Sequence, residues 1–209
     1  YLKNNIDSLT LTLEVLENDK VIRTYTNKKK SNFKSWPGGP SKPQILPSKK
    51  GVNRFTWDFR RAPLPSIHKV FIFGGLAGSR VAPGKYSLRM TLGDVISETE
   101  TTILPNPKVV SSAEDFVAQQ KMLVSIENTV KEMHESVNQM RSAKTQLSHY
   151  AKLLKDSKNA DSLLEKGKEL TKRINSWEEN LIQAKQKTFQ DVINFNNKLN
   201  AQLIQLKSY

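Results

Sequence analysis

The sequence predicts an α+β chain in two parts: an antiparallel β-sandwich over residues 1–107, then an antiparallel three-helix bundle with long helices over residues 108–209. Three observations point there. All nine prolines and eight of the nine glycines precede residue 108, so that only Gly167 lies beyond it. The first part places apolar residues at every second position, whereas the second places them at alternating steps of three and four. Charge divides in the same place, with 17 basic against 8 acidic residues before residue 108 and 16 against 12 from there on.

In the first part, Leu9, Leu11, Leu13 and Val15 alternate with Thr10, Thr12 and Glu14, the period of two that half-buries a strand. Glu17-Asn-Asp-Lys20 is a turn and residues 21–25 return as the partner strand, giving a hairpin over residues 9–26. Further strands are expected at 53–59, 69–73, 86–92 and 95–104, the last two joined by Gly93-Asp94. Short strands at turn-punctuated intervals, with no helical pattern between them, imply the sandwich. Residues 28–51, rich in Lys, Ser, Pro and Gly, are too long for a hairpin connection and are expected to be poorly ordered or draped over the sheet. In Ile103-Leu-Pro-Asn-Pro-Lys108 two prolines forbid regular structure, and Ser111 and Ser112 then supply helix-capping hydroxyls, which sets the joint at residues 105–111.

In the second part, Leu123, Ile126, Val130, Met133, Val137, Met140, Leu147, Ala151 and Leu154 form one seam, interrupted only at Lys144. This predicts a helix over about 112–155, roughly 60 Å long at 1.5 Å per residue. Residues 155–161 break it, and Leu163, Gly167, Leu170, Ile174, Trp177, Leu181 and Ala184 carry a second helix over about 160–187, antiparallel to the first. Phe189, Val192, Phe195, Leu199, Leu203 and Leu206 drift out of register, predicting a break near residues 191–196 and a third helix over about 193–207. The short connection between the first two helices favours an intramolecular bundle, while the stretch 147–154 offers a second copy of the chain a seam to pair with.

The chemistry that the sequence excludes is extensive. Without cysteine there is no disulfide, Cys-ligated metal or thiol nucleophile, and the redox compartment stays open. No apolar run approaches the roughly 18 residues of a membrane-spanning helix. The opening residues, Tyr rather than Met and with no leader pattern, read as an internal piece of something longer. An apolar fraction of 37% and a mean hydropathy of −0.55 suit much solvent-washed helix. His134 and His149 stand about 22 Å apart along one helix axis, too far to share a metal, and all three histidines, with His68, are expected at the surface. The pairs Glu114-Asp115 and Glu178-Glu179 diverge on a helix and read as solvated. Residues 73–80, Phe-Gly-Gly-Leu-Ala-Gly-Ser-Arg, imitate a phosphate loop but lack its GxxxxGK[ST] spacing and a following helix, and no GxSxG elbow is present. No catalytic residue, metal site or cofactor is expected.

A net charge of +13 raises the question of polyanions. Lys28, Lys29, Lys30, Lys49, Lys50, Arg60 and Arg61 lie in loops or at strand ends near Phe33, Trp36, Phe55, Trp57 and Phe59, a cationic patch with aromatics of the kind that contacts nucleic acid or glycans. The alternating aromatics are more simply a buried strand face, so nucleic acid is the less favoured partner.

Three segments carry a resemblance. Glu17-Asn-Asp-Lys-Val-Ile-Arg-Thr24, Gly51-Val-Asn-Arg-Phe-Thr-Trp-Asp58 and Val81-Ala-Pro-Gly-Lys-Tyr-Ser-Leu-Arg89 resemble the hairpin, G-N-x-F-x-W-D strand and A-P-G-x-Y-x-V-R strand of an Ig or fibronectin-like module. That module follows the β-propeller in large bacterial proteins of the sortilin-like, BNR (Asp-box) or YVTN type described as glycosyl hydrolases. Residues 185–200 are similar to the G-Q-D-x-L-N-F-P-x-K-L-N-N-K-L stretch of their C-terminal helices, with Phe189 in place of the usual Gly and Asn196 in place of Pro. The Asp-box pattern S-x-D-x-G-x-x-W is absent from the 209 residues. The resemblance implies an accessory, non-catalytic C-terminal region, extracytoplasmic, whose partners are the propeller of the same polypeptide and a second copy through the helices. It further implies that Asn53 and Asp58 bond backbone in turns, that Phe55 and Trp57 fill the sandwich, and that Pro83-Gly84 sets the turn into the next strand.

Overall fold

A computed structural model describes residues 1–6, 8–29, 31–157 and 159–207. The chain is α+β, with one four-stranded antiparallel sheet and three α-helices among the described residues. The strands are β1 (Leu11–Glu17), β2 (Lys20–Thr26), β3 (Gly84–Leu92) and β4 (Val95–Ile103), in the spatial order β2-β1-β3-β4. The helices are α1 (Ala113–Leu153), α2 (Asp161–Leu181) and α3 (Leu199–Leu206), with a short 3₁₀ turn at Phe189–Ile193.

Both hairpins follow from local chemistry. Asn18 and Asp19 take positive φ of 48° and 62°, the pair of left-handed residues a two-residue turn needs to match strand twist. Gly93, at φ 57°, opens the turn from β3 to β4. Across the sheet, Arg89 faces Glu14 on one side and Glu98 on the other, and its guanidinium lies 3.8 Å and 2.9 Å from their carboxylates. β4 is exposed along most of its length, and its polar run Ser97-Glu-Thr-Glu-Thr-Thr102 suits an edge that must not recruit another strand.

The strands expected at 53–59 and 69–73 do not form ladders. Residues 53–58 nevertheless alternate between half-buried and exposed, as a strand would. Phe55 stacks edge-on against Tyr25 at 4.7 Å, and Trp57 against Tyr86 at 5.8 Å. Apolar alternation reports one buried face; whether a ladder forms depends on what lies beside the backbone.

The chain parts into two compact units, and the cut does not fall at residue 107. Unit 1 comprises residues 1–35, 41–63 and 77–125; unit 2 comprises residues 36–40, 64–76 and 126–209. The first turns of α1 therefore belong with the sheet. There the Gln120 side-chain oxygen accepts the Ala82 N–H at 2.8 Å, and Ser112 and Asp115 cap the helix reciprocally at 2.9 and 3.1 Å. The Ser112 N–H and hydroxyl hold the Asp115 carboxyl below its ordinary range.

Unit 1 buries Ile6, Leu11, Val15, Ile22, Tyr25, Leu46, Val81 and Tyr86 beneath its sheet. Burial and the neighbouring Glu17 carboxylate push the Tyr86 phenol up to about 12, and its hydroxyl donates to the Ala82 carbonyl at 2.7 Å. The long loop is tied rather than loose at several points. Leu46 N–H bonds Thr26 carbonyl at 3.0 Å, and Gly51 pairs with Leu2 at 2.8–2.9 Å in both directions.

Unit 2 takes what the sequence assigned to the sandwich. Leu64, Ile67, Val70, Ile72 and Leu76 form an irregular apolar segment that packs on Ile126, Val130, Met133 and Val137 of α1, with Ile182 and Ile204 completing the core. Trp36 anchors the tip of the long loop to this segment, its indole N–H donating to Val70 carbonyl at 2.8 Å while Ile72 N–H reaches Gly38 carbonyl at 3.1 Å. A side chain at Gly74 is barred twice: φ is +85°, and a Cβ would stand 2.8 Å from Ile204 Cγ2. The phosphate-loop imitation at 73–80 is thus a packing device.

The helices are shorter than their apolar periodicity implied. α2 stops at Leu181 because Ile182 turns extended (φ −128°, ψ 133°) to enter the core, rather than running on to residue 187. The break spans residues 182–198, wider than expected, and α3 begins at Leu199 instead of near 193. Buried Gln186 shapes this break by donating to the Phe195 carbonyl at 2.7 Å and Asn197 Oδ1 at 3.1 Å. Asp191 accepts the N–H groups of Lys187 and Thr188 at 2.6 and 2.9 Å.

Val130 is wholly buried at the centre of the unit 2 core. Val130→Ala is expected to cost about 2 kcal/mol, read as a lower urea midpoint with unchanged slope. An unaltered midpoint would remove this core from the account.

Candidate functional site

Three residues of α1, spaced four and three apart, present polar groups to the segment that packs on it. His134, fully buried, makes a 2.7 Å bond between Nδ1 and Pro65 carbonyl; Asn138 donates to Ser66 carbonyl at 2.9 Å; and Arg141 donates to His68 carbonyl at 3.0 Å. The Pro65 bond requires Nδ1–H, so Nε2 is the acceptor facing the Asn200 amide at 3.4 Å. Arg141 also forms an ion pair with Glu178 of α2, with Nε at 3.0 Å from Oε1. Lys207 and Glu127 approach to 3.8 Å with both side chains almost covered.

These positions correct two sequence readings. His134 is not at the surface, and Glu178 is buried and paired rather than solvated. The signal for His134 was present: it lies four residues after Val130, on the stripe that the apolar seam already marked. His68 and His149 are exposed, His68 with its ring edge-on to Trp36 at 5.5 Å. Among the described residues no group of three His, Asp or Glu side chains is placed to hold a metal ion, and no helix is long and apolar enough to cross a membrane.

The basic residues are divided in their roles. Arg60 donates to Gly78 carbonyl at 2.8 Å, and Arg61 pairs with Glu17 at 2.8 Å, so both guanidinium groups hold loops. Lys29, Lys49 and Lys50 are exposed and Lys28 is half-buried, while Lys30 lies outside the described residues. Thr26, two residues before Lys28, and Ile45, four before Lys49, form a parallel bridge. Asn53 closes the 49–53 turn, accepting from Lys49 N–H at 3.1 Å and donating to the carbonyls of Lys49 at 2.7 Å and Gly51 at 3.1 Å. Asp58 accepts Arg60 N–H at 3.1 Å, and Trp57 donates to Arg60 carbonyl at 3.0 Å. Pro83 precedes Gly84, the first residue of β3.

One surface is not accounted for by internal packing. Past the Arg141–Glu178 pair and the Lys144 bond to Asn175 Oδ1 at 2.6 Å, α1 and α2 leave between them a groove of about 980 Å³. Its walls are Leu147, Ala151 and Leu154 of the first seam and Leu163, Gly167 and Leu170 of the second, with Lys155, Lys166, Lys168 and Lys172 also lining it. The two seams leave this space open between them. Leu163 and Leu170 stay 59% and 43% exposed. Sequence periodicity located both seams; that they leave a groove between them is a fact of the fold.

The buried imidazole gives unit 2 a pH dependence. Burial lowers the His134 pKa from 6.5, and the bond to Pro65 carbonyl only partly opposes this. Below pH 6.5 the unfolded chain takes up a proton that the folded ring resists, so the contribution is full above that pH and is lost on acidification toward the folded value. The urea midpoint is expected to fall more steeply between pH 7.5 and 5 in the parent protein than in His134→Gln; equal slopes would refute the assignment.

No family profile, curated protein or solved structure matches the chain.

Proposed function

We propose that this chain is a non-catalytic interaction module, the C-terminal region of a larger extracytoplasmic β-propeller protein of the sortilin-like or BNR type, which docks other domains and pairs subunits through its helices. Its sheet, with residues 53–59 layered over it, is a reduced Ig-like sandwich whose second layer is extended chain. Its helices are an open three-helix bundle with one groove left for a partner.

The observation that carries this reading is the contrast between two sets of side chains. Buried His134 and Gln186 and half-buried Asn138 and Arg141 hold backbone carbonyls, which is scaffold work. In the α1–α2 groove Leu163, Leu170 and Ala151 remain exposed and Leu147 and Leu154 only half-buried, as a docking surface would leave them. The hydrolase description attached to the resembled proteins belongs in this reading to their propellers.

Light scattering on the eluting protein tests the pairing half. Pairing predicts a mass rising from 23.7 kDa toward twice that value with concentration. A constant 23.7 kDa removes pairing and leaves docking. The docking half fails if the polypeptide preceding Tyr1 carries no propeller blades.

A second reading, polyanion or glycan binding, draws on the exposure of Lys29, Lys49 and Lys50 and on the Thr26–Ile45 bridge between the two stretches that carry them. It predicts retention on heparin at low salt that disappears when Lys28, Lys29, Lys49 and Lys50 become Ser. Arg60 and Arg61 are not part of it, since both are engaged within unit 1. Absence of retention at low salt would end it.

A further inference from the structure

We infer that the α1–α2 groove receives an acidic amphipathic helix of about three turns, an inference that rests on the interaction-module reading and gives the partner its chemistry. Four features of the groove select this occupant.

Length comes first. Along α2 the lining runs from Leu163 to Asn175, about 18 Å of helix axis, or a little over three turns. Spacing comes second. Both walls keep the alternating three and four steps of a knobs-into-holes seam, and the complement of such a seam is another helix with the same repeat. An acyl chain would need apolar walls but not that periodicity.

Gly167 is the third. Glycine weakens a helix interior relative to alanine, yet here it stands in mid-α2, and a Cβ built on it would meet nothing within 4 Å. Nothing inside the protein requires a residue so small. A large side chain entering from outside would have that space to occupy.

Charge is the fourth. Lys155, Lys166, Lys168 and Lys172 line the groove, and no carboxylate does. The contact from Lys168 to Glu165, at 3.5 Å with both side chains more than three-quarters exposed, is weakly held and readily exchanged. A second copy of the same hairpin would bring like charges against these lysines, whereas Glu or Asp flanking an apolar stripe would pair with them.

The test uses a synthetic, fluorescein-labelled peptide of about 21 residues, three heptads with Leu at the two core positions and Glu at the flanking ones. Two controls accompany it: the same peptide with Lys at the flanks, and a scrambled acidic peptide of identical composition. Anisotropy titrations on the whole chain at low salt are expected to show the acidic heptad peptide binding about tenfold more tightly than either control, and weakening as salt is raised.

Gly167→Leu should weaken that binding about tenfold while circular dichroism shows the helices intact. The triple reversal Lys166→Glu, Lys168→Glu and Lys172→Glu should transfer the preference to the Lys-flanked peptide. This second variant tests the groove even if the first fails to fold.

Equal binding of all three peptides, or a preference that survives the charge reversal, overturns the inference. So does displacement of the peptide by sodium oleate at lower concentration than by unlabelled peptide, which makes the groove an amphiphile site. A doubled mass that Gly167→Leu abolishes assigns the groove to a second copy and overturns it too. The interaction-module reading is judged separately, on the mass of the parent protein and on whether propeller blades accompany this region, so failure of the peptide alone leaves it standing.

Discussion

Unit 2 depends on the bond between one stripe of α1 and an irregular segment that has no regular structure of its own. Residues 64–76 cannot satisfy their backbone in a ladder, and their apolar side chains need a surface. α1 supplies both needs at once: Ile126, Val130, Met133 and Val137 provide the surface, and His134, Asn138 and Arg141 provide donors at matched intervals for the Pro65, Ser66 and His68 carbonyls. Removing the His134 donor would leave the Pro65 carbonyl without its partner beside the core, which costs more than the bond itself contributes.

The same stripe fixes the distribution of charge. Arg141 reaches both His68 carbonyl and Glu178, so it joins the irregular segment and α2 to one turn of α1. The Lys144 bond to Asn175 adds a second tie one turn further along α1. Past these two ties the groove opens, and Leu163 and Leu170 along it stay exposed.

Unit 1 is built on a different economy. Its sheet is closed at both hairpins by residues that accept positive φ, and its aromatic layer is held edge to face by Tyr25, Phe55, Trp57 and Tyr86. Arg60 and Arg61, the most patch-like pair in the sequence, are drawn inward to Gly78 carbonyl and Glu17. A basic residue beside a glycine-rich turn has carbonyls within reach, and a bond there competes directly with any external anion.

The sequence by itself determined what depends on neighbours along the chain. Hydrogen-bonded turns at Asn18-Asp19 and Gly93, the cap at Ser112, the two hairpins and the long first helix are set by local φ preference and by contacts within a few residues. It also determined the groove's two walls, because a 3–4 seam is a property of one helix. Tertiary structure alone decided the rest. Residues 53–59 and 69–73 carry strand-like patterns, but a ladder needs a free backbone edge alongside, and only the folded chain determines whether one is there. His134 became a buried donor because an irregular segment placed a carbonyl over it, and past the Arg141 and Lys144 bonds the two seams leave a groove between them. Periodicity reports which face of an element seeks cover, whereas the identity of the cover is settled by residues far away in sequence.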